Sequence, residues 1–135
     1  KLDDPSIKSA LASTVTEFSA KCQHSIEFNY QLPANYLSAN QEIHLLQIVR
    51  EALSNIHRHA NATLAGVSIT LKDIKVRVKI WDNGKGLPES IIEQGSKQGH
   101  FGLGIMQERA GSLNTQIHIA NREEQGAVIS FEFSH

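Results

Sequence analysis

The chain contains the stretch Asp82-Asn83-Gly84-Lys85-Gly86 directly after a strand-like run at residues 75–81. A carboxylate at the end of a strand can accept a hydrogen bond from an exocyclic amine such as adenine N6. The two glycines allow the backbone to approach a flat ligand, since a Cβ would obstruct that approach. An Asp-Asn-Gly sequence is also an ordinary turn. This stretch alone therefore leaves a ligand site and a plain turn both open.

The composition indicates one soluble, globular domain. The chain has 135 residues, 40% of them hydrophobic and 20% charged, which is enough for a core and too apolar for disorder. A net charge of -1 argues against a nucleic-acid partner held by phosphate contacts. No apolar run is long enough to cross a bilayer. The single cysteine, Cys22, excludes an internal disulfide and suits a reducing compartment. Because the chain begins at Lys1 without a Met, we expect residues 1–135 to be one domain excised from a larger protein.

Hydrophobic periodicity predicts three helices and five strands. The helices are expected at residues 7–22, 41–60 and 105–113, and the strands at 25–32, 67–71, 75–80, 116–120 and 127–133. Residues 87–101 have no clear period and are predicted to be a mobile loop with a helical turn at 90–93. Strands that follow one another by hairpins predict an α+β, two-layer α/β sandwich with a mixed, mostly antiparallel sheet and helices on one face.

The second predicted helix carries a polar face. Glu51, Asn55 and His59 are spaced four apart and fall on one side of it. A carboxylate, an amide oxygen and an imidazole in a row suit a hydrated Mg²⁺ that carries phosphate oxygens. Arg58 and His59 at the helix end can meet phosphate charge directly. The alternative is a solvated polar face, which any amphipathic helix has.

Two further features concern metals and phosphates. His57 and His59 are two residues apart and point to different sides of a helix, so a zinc pair is disfavoured. Gly102 and Gly104 open the third predicted helix, where free backbone N–H groups and the positive dipole end favour phosphate. A flexible entry to a packed helix remains the alternative there.

In combination, the order and spacing of these pieces resemble the GHKL ATPase family. Residues 51–55 are similar to its N box, residues 82–86 to its first glycine box and residues 102–104 to its second. Residues 50–62 and 99–110 are similar to segments of sensor histidine kinases of the nitrate/nitrite-sensor type. The resemblance runs from about Gln41 to the C-terminus.

This resemblance implies a Bergerat-type ATP-binding fold and a set of site residues. Asn55 would ligate Mg²⁺, Glu51 would hold the metal-bound waters or act as a base, and Asp82 would bind adenine N6 directly and through water. Gly84 and Gly86 would flank the base, and residues 87–101 would form a movable lid. The phosphates would meet a further set of side chains and backbone groups: Arg58, His59, His100, Phe101, Gly102, Leu103 and Gly104. Leu87 completes the implied ATP-binding set.

The resemblance also implies a function and partners. The chain would bind Mg-ATP and supply the γ-phosphoryl group to a histidine in a separate dimerisation domain of the same kinase, upstream of a response regulator. The domain alone is expected to be monomeric and cytoplasmic, and its parent homodimeric in the bacterial inner membrane. The alternatives are an anti-sigma-factor-type serine kinase, a nucleotide-responsive binding module and a GHKL hydrolase. Residues 106–113 and the short lid favour the histidine kinase.

Three features depart from the family pattern. Gly126-Ala127 replaces a frequent Gly-Thr pair, so a hydroxyl near the base is missing. Residues 112–115 lack a frequent glycine pair. None of the seven histidines is followed by the acidic pattern of a phosphoacceptor helix. We therefore expect the phosphoacceptor to lie outside this chain.

Overall fold

The protein is described by a computed structural model that covers residues 6–94 and 102–135. Four α-helices are present in these ranges: α1 Ile7–Cys22, α2 Ala39–Asn55, α3 Glu89–Gln94 and α4 Leu103–Ser112. Five strands accompany them: β1 Ser25–Tyr30, β2 Leu64–Lys72, β3 Lys75–Asp82, β4 His118–Asn121 and β5 Ala127–Ser134. A π-helical turn, Ile56–Ala60, continues α2.

The strands form one sheet in the order β1-β2-β3-β5-β4. Only β1 and β2 are parallel, because α2 connects them as a crossover. The pairs β2–β3, β3–β5 and β4–β5 are antiparallel. The predicted mixed, mostly antiparallel α+β sheet is confirmed.

The core lies between one face of the sheet and the helices. Along β3, Val76, Val78 and Ile80 are buried, whereas Lys75 and the other outward-facing basic residues are exposed. The sheet therefore has one wet face, as its sequence alternation predicts. Helix α2 packs against both α1 and α4, and all three helices contribute buried side chains to the core. Within the described ranges, no helix combines the length and apolar character needed to cross a membrane.

Helix α2 begins earlier than predicted, and it ends differently. The N–H of Gln41 donates to Ser38 Oγ and the N–H of Ser38 donates to Gln41 Oε1, each at 3.1 Å. This capping box satisfies two free donors and starts the helix at Ala39. The last turn widens into the π-helical segment, and Asn61 ends it with a left-handed backbone at φ 53°. The wider turn rotates residues 56–60 away from the regular 3.6-residue spacing.

The other boundaries shift for identifiable reasons. The Gln107 side chain binds both backbone groups of Ile117, at 2.9 and 3.0 Å, so pairing of β4 starts only at His118. Helix α4 begins at Leu103 instead of residue 105. The helical turn predicted at residues 90–93 is found as α3, Glu89–Gln94, whereas residues 95–101 of the predicted loop lie outside the described residues.

Gly84 and Gly111 offer a matched test of the packing at the end of α2. A Cβ at Gly84 would collide with the carbonyl of Ala60, whereas one at Gly111 in α4 would meet no atom within 4 Å. We expect Gly84→Ala to lower the free energy of unfolding by about 1–3 kcal/mol. Gly111→Ala should leave stability unchanged or raise it by up to about 1 kcal/mol. Denaturant titration of both variants measures this, and equal stability of the two would contradict the packing described here.

Candidate functional site

An open cleft lies between the end of α2, the end of β3 and the start of β5. It holds about 500 Å³ of empty space, part of it continuous with solvent. Its walls are mainly aliphatic, with three polar side chains, and consist of Ala52, Asn55, Ile56, His59, Ala60, Ile80, Asp82, Gly86, Leu87, Leu103, Ala127 and Ile129. An open, mainly apolar cleft with a few polar side chains suits a small flat ligand whose orientation those polar groups fix.

Asp82 is the buried charge of this cleft. It is the last residue of β3 and only 5% exposed. Its Oδ1 accepts the N–H of Gly84 at 2.7 Å. Burial raises the pKa of the Asp82 carboxyl above its ordinary value; hydrogen bonds from the N–H groups of Gly84 and Ala127, and then the charges of Arg122 and His24, act in the opposite direction. A partly desolvated acceptor in an apolar wall is well suited to a ligand amine.

The two glycines after Asp82 have different positions. Gly86 lines the cleft. Gly84 is buried against the end of the helix, behind the cleft wall, where the Ala60 carbonyl leaves no room for a Cβ and accepts the N–H of Lys85 at 2.8 Å. The close approach at Gly84 is thus one of protein backbone to protein backbone.

The polar face of α2 is held together by Arg58. Its Nη2 lies 3.6 Å from Glu51 Oε2 and donates to Asn55 Oδ1 at 3.4 Å, while its Nε donates to Ser54 Oγ at 3.2 Å. The structure thus brings Glu51 and Asn55 together on one helix face, as their spacing predicts, and adds Arg58 to them. Glu51 Oε2 and Asn55 Oδ1 are both oxygens suited to a hard cation, and both contact the Arg58 guanidinium. In the described ranges, no three His, Cys, Asp or Glu side chains cluster as a metal site. An asparagine oxygen completed by water and phosphate oxygens fits Mg²⁺.

The two histidines of this segment separate as predicted. His59 lines the cleft and His57 is exposed. Burial lowers the pKa of His59, and the neighbouring charges of Arg58 and Lys85 lower it further. The lowered pKa favours the neutral imidazole, which presents one N–H donor.

The start of α4 closes one side of the cleft. Gly102 precedes the helix with φ 63°, and a Cβ there would collide with the Glu51 carboxylate. Leu103 is buried and lines the cleft, and Gly104 follows it in the first turn. The predicted phosphate-facing helix start therefore lies beside Glu51. His100 and Phe101, also predicted for the site, lie outside the described residues.

Sequence reasoning missed two adjacent residues, Asn121 and Arg122, which lie between the fourth and fifth predicted strands. The Arg122 guanidinium lies 4.6 Å from the Trp81 ring centroid, and its Nη1 donates to the Asp82 carbonyl at 2.9 Å. The Asn121 amide binds the backbone of Leu87. No local sequence signal marks these contacts, because each spans more than thirty residues of the chain.

The geometry agrees with the comparison to known families. Residues 40–135 match the histidine kinase-, DNA gyrase B- and HSP90-like ATPase family. The chain belongs to this family. The nitrate/nitrite sensor protein NarX of Escherichia coli K12 is 37% identical over 133 residues, which cover 98% of this chain and 22% of NarX. The sensor protein NarQ homologue of Haemophilus influenzae is 31% identical over 99% of this chain and 23% of its own length.

A solved structure shows the same fold. The catalytic domain of histidine kinase ThkA superposes with a TM-score of 0.74 at 20% identity, covering 96% of this chain and 93% of that domain. The predicted GHKL-type fold and the resemblance to nitrate/nitrite-sensor kinases are both confirmed. The chain spans less than a quarter of the length of the two sensor relatives.

The raised pKa of Asp82 has a measurable consequence. The Asp82 carboxyl should titrate above its ordinary value of 3.8 in carboxyl-detected NMR of the ligand-free protein. Since the folded-state pKa lies above the unfolded one, protonation favours the folded state. The free energy of unfolding of the wild type should therefore rise relative to Asp82→Asn as pH falls through the raised pKa. A titration at or below 3.8 would contradict this assignment.

Proposed function

We propose that this domain binds Mg-ATP and supplies its γ-phosphoryl group to a histidine of a separate phosphoacceptor domain. The observation that carries the proposal is the nearly buried Asp82 carboxylate in the wall of an apolar cleft, with the Glu51–Asn55–Arg58 face beside it. The membership in an ATPase family and the similarity to sensor kinases support it.

Adenine would occupy the apolar part of the cleft. Ile80 and Ile129 contribute aliphatic surface to its walls. The Asp82 carboxylate would accept a hydrogen bond from the adenine N6 amine. Guanine carries an oxygen at the corresponding position, which would face the carboxylate, so binding should discriminate against GTP. The missing hydroxyl at Ala127 leaves Asp82 as the main polar determinant of the base.

The metal and the phosphates would bind along α2 and the start of α4. Asn55 would hold Mg²⁺ through its amide oxygen, and Glu51 would order metal-bound water. The metal supplies charge neutralisation at the phosphates, which is the main requirement of phosphoryl transfer. Arg58, released from Glu51 and Asn55, would turn to the phosphates, and neutral His59 would donate a hydrogen bond. The backbone at Gly102–Gly104 would complete the proposed phosphate side, together with His100 and Phe101 as the family resemblance implies.

The proposal extends to the parent protein. We take residues 1–135 as one catalytic and ATP-binding domain of a two-component sensor kinase, because the similar proteins are sensor proteins. Its partners would be the dimerisation domain of the same kinase and a response regulator. By similarity to the nitrate/nitrite sensors, the parent would be a homodimer of the bacterial inner membrane with this domain in the cytoplasm, responding to nitrate or nitrite. No comparison favours the serine-kinase or binding-module alternatives.

Asp82→Asn tests the adenine site. A hydrogen bond to a charged group contributes about 1.5–3 kcal/mol, so Mg-ATP affinity should fall at least roughly tenfold. Asp73→Asn, in the exposed β2–β3 turn with φ 57°, is the matched control and should bind normally. Isothermal titration of both folded variants measures the effect, and near-normal affinity of Asp82→Asn would remove the adenine assignment.

Asn55→Ala tests the metal site. Mg²⁺ should no longer strengthen ATP binding, and phosphoryl transfer should be lost, while metal-free ADP binding weakens little. Asn40→Ala, exposed at the start of the same helix, should retain the full Mg²⁺ effect. Titrations with and without Mg²⁺ decide the matter, since equal losses under both conditions would make Asn55 a scaffold residue.

Transfer itself is tested with radiolabelled ATP. His57 and His59 are fixed on the helix that borders the cleft and cannot reach an in-line position about 3–3.5 Å from the γ-phosphorus. The chain alone should therefore stay unlabelled, and label should appear on an added phosphoacceptor domain of a sensor kinase of this group. Stoichiometric acid-labile label on this chain alone would contradict the proposal.

A further inference from the structure

The side chain of Asn121 makes a two-point contact with the backbone of Leu87. The Leu87 N–H donates to Asn121 Oδ1 at 2.8 Å, and Asn121 Nδ2 donates to the Leu87 carbonyl at 2.9 Å. Both atoms of the amide are used, and both backbone groups of one residue are satisfied. The Asn121 side-chain amide thus pairs with Leu87 through one donor and one acceptor, as the backbone of a neighbouring strand would.

The contact lies where the cleft wall leaves the sheet. Gly86 and Leu87 both line the cleft, and Pro88, which has no N–H, leads into α3. Gly86 has φ 79°, and a Cβ on it would lie 2.7 Å from Asn121 Oδ1. The position needs a glycine both for its backbone angle and for the close approach of the Asn121 amide.

The neighbouring residue holds the other end of the same loop. Arg122 Nη1 donates to the carbonyl of Asp82 and to that of Gln125, at 2.9 and 3.1 Å. Two adjacent side chains at the end of β4 thus fasten residues 82–87 at their first and last positions. Asn121 is nevertheless exposed and lies on the edge strand, so its bonds add little to the buried core.

We propose that Asn121 is a positioning residue for nucleotide binding, which fixes Leu87 as the wall of the adenine cleft; this inference rests on the proposed function. Without the amide, Gly86 gives the backbone wide freedom, and the wall must be reordered each time a nucleotide binds. The free-energy cost of this reordering lowers nucleotide affinity. The stability of the fold changes little, because the hydrophobic core lies elsewhere.

The test compares Asn121→Ala and Asn121→Asp with Asn29→Ala. Asp keeps the acceptor for the Leu87 N–H but places a carboxylate against the Leu87 carbonyl. Asn29 is an exposed asparagine of β1, at the opposite edge of the sheet, and its side chain bonds to Gln31 and Ser68. Mg-ATP affinity is measured by calorimetry, folding by thermal unfolding, and the cleft wall by hydrogen exchange of the Leu87 amide.

Both Asn121 variants should bind Mg-ATP roughly 5–30-fold more weakly, with Tm lowered by no more than about 4 °C. Exchange of the Leu87 amide should accelerate in Asn121→Ala, while that of Val78 in β3 stays unchanged. Asn29→Ala should match the wild type in all three measurements.

The outcomes separate this inference from the function on which it rests. A wild type that fails to bind Mg-ATP would remove the proposed function. A wild type that binds, together with Asn121 variants that bind within about twofold of it, would overturn the inference alone. Loss of cooperative unfolding in both Asn121 variants would also overturn it, because Asn121 would then support the fold as a whole.

Discussion

The burial of one carboxylate organises this end of the molecule. Asp82 lies almost out of reach of solvent, and an unpaired charge in such a place costs several kcal/mol. The N–H groups of Gly84 and Ala127 offset part of that cost. They reach Asp82 because Gly84 turns tightly against the helix end and because Gly126, with φ 92°, lets its backbone lie against the Asp82 carbonyl. Glycines at positions 84 and 126 are therefore needed to stabilise the buried Asp82 charge, as much as to make room for a ligand.

A second constraint lies on the polar face of α2, where Arg58 contacts both Glu51 and Asn55. The guanidinium balances the carboxylate and keeps the amide oxygen turned toward it. Arg58 and Glu51 are partly exposed, so this ion pair is weak, on the order of 1 kcal/mol or less. A divalent cation with phosphate can displace it at small cost. The polar face of α2 is therefore ordered before a ligand binds, yet its side chains can still rearrange.

The sequence predicted the parts of this site that depend on local pattern. Alternation along β3 placed Asp82 at a strand end facing the core, and helical spacing put Glu51 and Asn55 on one face. It did not predict that Gly84 packs behind the cleft, because that contact depends on how the π-helical turn ends at Ala60. Neither could it reveal the partners of Asn121 and Gln107, since each depends on the register of β4 beside the rest of the fold.

The two halves of the cleft differ in how firmly they are built. The wall formed by β3 and α2 consists mainly of buried aliphatic residues. Asn83 also holds the adjoining loop by accepting the N–H groups of Thr63 and Leu64, at 2.9 and 3.0 Å. The wall at Leu87 depends on two exposed hydrogen bonds to one side chain. Segments with few buried contacts open at low free-energy cost. A rigid wall can select the base, while the weakly fastened one can move away from Asp82 without disturbing the core that positions it.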